Sequence, residues 1–153
     1  MCIRDSIETI HAATDLLAEA KLSPELRNEA LYYRAKAYTK QKADKKAMED
    51  YRELAKDTRN PYGAEAKYQV AQSLYDAKEY AAAEKELLNY IEQSTPHAYW
   101  LARSFILLSD VYHATGKDLD ARQYLLSLQQ NYQGNDDIES MIESRLSKLK
   151  VEN

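Results

Sequence analysis

The residues that could do chemistry in this chain are few and scattered. A single cysteine, Cys2, excludes an intrachain disulfide. The three histidines, His11, His97 and His113, lack metal-ligand spacing and have no cysteine partners, so no zinc or other metal site is expected. Asp136-Asp137 is not followed by the glycine and glutamate of a calcium loop; it reads as the start of a helix, where carboxylates suit the positive end of the dipole. Lys40, Lys42, Lys45 and Lys46 read as a solvated turn rather than a phosphate site. There is no phosphate-cradling glycine loop, no activated nucleophile and no paired acid and base. An enzyme is therefore not expected, and neither is a resident cofactor.

What the chain has in abundance is tyrosine, 13 against one phenylalanine and one tryptophan. A tyrosine packs its ring and keeps its hydroxyl at a wet edge, which suits thin helical layers without a deep interior. Trp100 reads as a packing residue. At 153 residues the chain is one domain or part of one, long enough for a core. Its charged content is 30%, with no 18-residue apolar run, so no helix that inserts in a membrane is expected. The net charge of −4 lacks the basic excess of a general nucleic-acid binder.

The elements that would position these residues are helices. Gly and Pro number three each, and helix formers dominate. Ile7, Ile10, Ala13, Leu16, Leu17 and Ala20 fall on one helical face over residues 7–21. Ser23-Pro24 is a hydroxyl cap followed by proline at the first helical position, and Thr95-Pro96 repeats the device. Asn60-Pro61-Tyr62-Gly63 and Gln133-Gly134-Asn135 punctuate the chain. Helices are predicted over residues 7–21, 24–41, 45–56, 64–77, 79–93, 97–115 and 119–132. A last helix opens at Asp136, with Ile138, Met141, Ile142, Leu146 and Leu149 on one face and Glu143, Lys148 and Lys150 facing away. The expected class is all-α, about eight helices, with short connections that make neighbours antiparallel.

Three of the helical pairs share a framework. Ala47, Ala83 and Ala121 are 36 and 38 residues apart. Twelve positions earlier stand Ala35, Ala71 and Ser109; nine earlier, Tyr38, Leu74 and Tyr112; four later, Tyr51, Leu87 and Leu125. Two helices approach closely only where small residues meet, and large ones fill the space on either side. This order resembles the tetratricopeptide repeat, a helical hairpin of about 34 residues. The resemblance implies a right-handed α-solenoid, with repeats at residues 28–61, 64–97 and 102–134. It makes 7–21 the second helix of a truncated repeat and 135–150 a C-terminal capping helix. Gly116 stands at the family's turn glycine; Lys42 and Lys78 stand there in the other two repeats. Arg34, where the family has leucine, and Leu54, Tyr90 and Leu128, where it has a small residue, depart from the pattern.

In that family the first helices line a concave surface. The resemblance places Glu29, Tyr32, Lys36, Thr39 and Lys40 on it from the first repeat. The second repeat contributes Glu65, Tyr68, Gln72, Tyr75 and Asp76, and the third Arg103, Ile106, Asp110, His113 and Ala114. Tyr32, Tyr68 and Tyr75 are the expected anchors for a partner peptide or protein, with Lys36, Lys40 and Arg103 meeting its carboxylates. The alternative is that these tyrosines are partly buried packing residues. The carboxylate clamp of chaperone-adaptor members is not present, since Tyr32 and Lys36 occupy the first repeat's clamp positions.

The expected function is a protein-interaction scaffold. The alternative is a purely structural end of a longer array, closed by Ile138, Met141, Ile142 and Leu146. The stretch TPHAYWLARSFILLSDVY is similar to the last repeats of long arrays in Gram-negative bacteria, some of them envelope-associated. The opening MCIRDS resembles a translated transposon-type sequencing adapter. On that resemblance residues 1–6 are non-native and the chain is the C-terminal part of something longer; the alternative is an ordinary start. Without an upstream repeat, the apolar side of helix 7–21, at Ile10 and Leu17, is expected to self-associate.

Overall fold

In the computed structural model the described residues are 2–93 and 95–149, and among them there are eight α-helices and no strand. They are α1 (Ile3–Leu17), α2 (Pro24–Lys40), α3 (Asp44–Leu54), α4 (Pro61–Asp76), α5 (Tyr80–Glu92), α6 (Ala98–Ala114), α7 (Asp118–Asn131) and α8 (Ile138–Leu146). The protein is all-α. It divides between Gln69 and Val70, within α4, into two compact units. In the first, α2 packs on both α1 and α3; in the second, α6 packs on α5 and α7, and α8 seats against α6 and α7. None of the described helices is long and apolar enough to cross a membrane.

Most of the small–large framework lies in the interior, and its members Tyr38 and Leu74 are half-buried. Ala35, Ala47, Ala71, Ala83, Ser109 and Ala121 are all buried, as are Tyr51, Leu87, Leu125 and Tyr112. Leu54, Tyr90 and Leu128, the departures near the ends of α3, α5 and α7, are buried too, and so fill the layer as large residues. Three hairpin turns share one geometry. Lys42, Lys78 and Gly116 take left-handed φ values of 59°, 61° and 78°. The following N–H in each case reaches back to the helix: Ala43 to the Tyr38 carbonyl at 2.9 Å, Glu79 to Leu74 at 2.9 Å, Lys117 to Tyr112 at 2.8 Å. This is the Schellman closure, which satisfies carbonyls a helix end would leave unpaired.

Several helix boundaries differ from the sequence reading, each for a local reason. α1 begins four residues before 7 and stops at Leu17; the Ser6 N–H and hydroxyl both bond the Cys2 carbonyl, at 3.1 and 3.3 Å, extending the first turn upstream. Ile10 and Leu17 are half-buried, whereas Ile3 and Ile7 are exposed. Ser23 caps α2 as expected, its hydroxyl accepting from the Leu26 N–H at 3.3 Å. Thr95 does not cap α6. It is buried, with its hydroxyl donated to Tyr90 OH at 3.0 Å, and α6 starts three residues later, at Ala98. α8 is shorter than predicted and leaves Leu149 beyond its end; Lys150, read as facing away, lies outside the described residues.

Gly63 is not a break but part of α4, which starts at Pro61 with the Asn60 side chain accepting from the Tyr62 N–H at 2.8 Å. A Cβ at Gly63 would lie 1.9 Å from the Asp57 carbonyl oxygen and 2.7 Å from that of Leu54. Only glycine lets the first turn of α4 press against the backbone that ends α3.

Candidate functional site

Arg34, the charged departure in the first hairpin, has its own partner. Its Nε and Nη2 donate to the two carboxylate oxygens of Asp50 at 2.8 and 2.7 Å, and Nη1 reaches Thr14 Oγ1 at 3.2 Å. Asp50 is 5% exposed. The two-pronged geometry suits a guanidinium and ties α2 to α3 and α1. It is a structural pair, already satisfied. Pairing at helix spacing was visible in neither residue alone, because 16 positions separate them.

The expected site residues of the first unit form an internally bonded cluster. Lys36 Nζ donates to Tyr32 OH at 3.0 Å, sits 4.9 Å from that ring's centroid, and lies 3.9 Å from Glu65 Oε1. The Tyr32 ring stacks at 4.5 Å on Tyr62 and meets Tyr33 edge-on at 5.4 Å. Burial, with the Glu65 carboxylate next, pushes the Tyr32 hydroxyl far above the ordinary tyrosine range. Lys40 and Glu29 are exposed on α2, and Thr39 bonds back to the Ala35 carbonyl at 3.0 Å. Tyr68 is 6% exposed and so is a packing residue, not an anchor on a free surface.

In the second unit the expected residues separate into three groups. Ile106 is 1% exposed, packed with Ala102, Leu125, Leu128, Ile138 and Ile142; α8 covers it, and it presents no surface to a partner. The sequence placed Ile138 and Ile142 on a sealing face but did not reveal that this face lies over Ile106. Arg103 donates to Tyr99 OH at 3.0 Å and lies within 6.0 Å of the Trp100 ring, which itself meets Tyr99 edge-on at 5.1 Å. Gln72 donates to Asp76 at 2.9 Å along α4, and Ala114 is exposed.

The third group converges. Tyr75, Asp110 and His113 line one cleft of about 280 Å³, together with Ser109, Leu125, Arg145, Lys148 and Leu149. Arg145 of α8 crosses to Asp110 of α6 with a two-pronged bond, Nε to Oδ1 at 2.8 Å and Nη2 to Oδ2 at 3.0 Å. His113 Nδ1 is 2.8 Å from Asp118 Oδ1. Burial raises the Tyr75 hydroxyl's pKa, with Asp110 adding to it. The helical pattern of α8 turns Lys148 away from its apolar face and gives Arg145 no distinct place. Their convergence depends on where α8 docks, which helical periodicity does not encode.

The cleft is lined by cationic, carboxylate, hydroxyl and imidazole side chains together with two leucines. No nucleophile is held against a base there. Among the described residues, no three His, Cys, Asp or Glu side chains are grouped to hold a metal ion. Comparison with protein-family models, with curated proteins and with solved structures finds no match to this chain.

Proposed function

We propose that this chain is a non-enzymatic protein-interaction module, a right-handed α-solenoid of tetratricopeptide-repeat type, that docks a partner peptide or protein. The observation that carries the reading is the meeting of Tyr75, Asp110 and His113 with Arg145 and Lys148 in one cleft. Asp110 is neutralised by Arg145, so Lys148 is left as the exposed cation at the rim. A partner carboxylate fits there, bonded by Lys148 and by Tyr75 OH, with an apolar neighbour against Leu125 and Leu149. A charge-assisted hydrogen bond of this type is worth about 1.5–3 kcal/mol. The repeated Schellman turns and the buried small–large framework support the repeat architecture.

Fluorescence anisotropy with a library of labelled acidic peptides tests this. Lys148→Glu and Tyr75→Ala are each expected to weaken binding about tenfold or more at unchanged helicity. Binding that survives both substitutions would remove the cleft from the proposal. A second reading, a purely structural end of a longer array, is favoured by α8 itself. Its inner residues Ile138 and Ile142 are sealed, while Glu139, Ser140 and Glu143 face solvent. A polar outer face is what a terminal cap of stacked hairpins needs. Failure of every peptide in the library to bind would favour this reading.

A further inference from the structure

The first unit carries an apolar groove with an acidic edge, unrelated to the cleft of the second unit. Thr9, Ala12, Ala13 and Leu16 of α1 form one wall, and Leu26, Ala30 and Tyr33 of α2 form the other, around a volume of about 440 Å³. Leu26 and Tyr33, on the α2 side of the groove, are 46% and 45% exposed. Two neighbouring helices thus present a continuous trough, the shape into which an amphipathic helix lays its apolar face.

Charge decides what kind of helix. Glu29 itself lines the trough. Glu25 lies one turn before it on α2, and Asp15 lies one turn after Ala12 on α1, both exposed. Most cations on these helices are already engaged: Arg4 with Glu8 at 3.4 Å, Arg27 with Glu53 at 3.7 Å, Arg34 with Asp50 at 2.7 Å, and Lys36 with Glu65 at 3.9 Å; Lys40 stands at the last residue of α2, about two turns beyond Tyr33. Asp15, Glu25 and Glu29 have no such partner among the described residues. A second copy of this chain fits poorly, because a two-fold contact through the groove would set this acidic edge against itself.

We propose that the α1–α2 groove docks a basic amphipathic helix of a partner protein, its leucine-like side chains in the trough and its lysines or arginines against Glu25, Glu29 and Asp15. Apolar burial between Leu26 and Tyr33 supplies affinity, and the carboxylates supply register and partner choice.

The test uses the full chain and three synthetic 18-residue peptides: an amphipathic leucine–lysine helix, its glutamate counterpart, and a scrambled lysine version. Calorimetry is expected to show binding of the first alone. E25K with E29K should weaken it by about tenfold, and Leu26→Glu should abolish it, whereas E139K with E143K on the outer face of α8 should leave it unchanged. The E139K/E143K protein controls for general attraction to an acidic chain, and circular dichroism confirms that each variant is folded. Equal binding of the glutamate or scrambled peptide would overturn the proposal, as would binding indifferent to Leu26→Glu. Sedimentation showing self-association that Leu26→Glu relieves would also overturn it, by making a second copy the occupant.

Discussion

The first and last hairpins share a turn and differ in what sits beside it. In α2–α3 the position just before Ala35 is Arg34, bonded to Asp50, three residues after Ala47. The corresponding positions of α6–α7 are Leu108 and Tyr124. Leu108 is fully buried, and the Tyr124 ring lies 5.7 Å from Phe105 and 5.6 Å from Tyr112. One scaffold thus closes the same helix crossing with an ion pair in one place and with apolar and aromatic contact in another. The small alanines set how closely the helices approach, and what fills the flank is open to exchange if it is complete. A half-removed polar pair is the incomplete case.

The largest effect is therefore expected from Arg34→Ala, which leaves the buried Asp50 carboxylate alone and should cost about 3–5 kcal/mol in denaturant unfolding. Arg34→Leu with Asp50→Tyr, which rewrites the first hairpin in the manner of the last, should be neutral or stabilising. If the double variant is as unstable as Arg34→Ala, the two hairpins are not interchangeable and the comparison breaks. Gly63→Ala comes next, at about 3 kcal/mol, since the added methyl group meets backbone and not a movable side chain. Leu101 occupies the corresponding position in α6, so that helix accommodates a large side chain where α4 admits none.

The turns give a smaller, two-way test. Lys42→Gly and Lys78→Gly should each stabilise by about 0.5–1 kcal/mol, the strain relieved exceeding the extra chain entropy of glycine. Gly116→Ala should destabilise by about 1 kcal/mol, and through the backbone alone, because nothing lies within 4 Å of the added Cβ. The smallest effect concerns pH. Burial and then the bond to Asp136 push the Tyr132 hydroxyl up to about 12. A raised folded-state value means the folded chain holds that proton more tightly than the unfolded chain. Its contribution is thus whole below pH 10 and is lost as pH rises toward 12. Tyr132→Phe should remove the tyrosine titrating near 12 in an absorbance titration and flatten that alkaline loss of stability.

The all-helical class and the close helix crossings were legible where identity at a position is forced by contact. Alanine at a helix crossing cannot be exchanged for a large residue, so Ala35, Ala47, Ala71, Ala83 and Ala121 recur at spacings that survive unequal loops. The turn positions were legible from Gly116, and Lys42 and Lys78 follow the same backbone despite their side chains. What could not be read were contacts between one element and another. Arg34 with Asp50, Arg145 with Asp110, and the approach of Gly63 to Asp57 depend on how one helix lies on another. The candidate site was read less well than the fold for the same reason. A stripe at helical spacing names a face, but whether a later helix covers that face, as α8 covers Ile106, is decided elsewhere in the chain.

Trp100 has a spectroscopic consequence. It is the sole tryptophan, and it stands in α6 with its ring against Tyr99 and near the guanidinium of Arg103. Its emission therefore reports on the second unit alone, while the far-ultraviolet signal sums the helices of both. Superimposable melting curves from the two probes would mean that both units unfold as one cooperative system. A displacement between the curves would measure, without labels or mutations, how much stability each unit holds by itself.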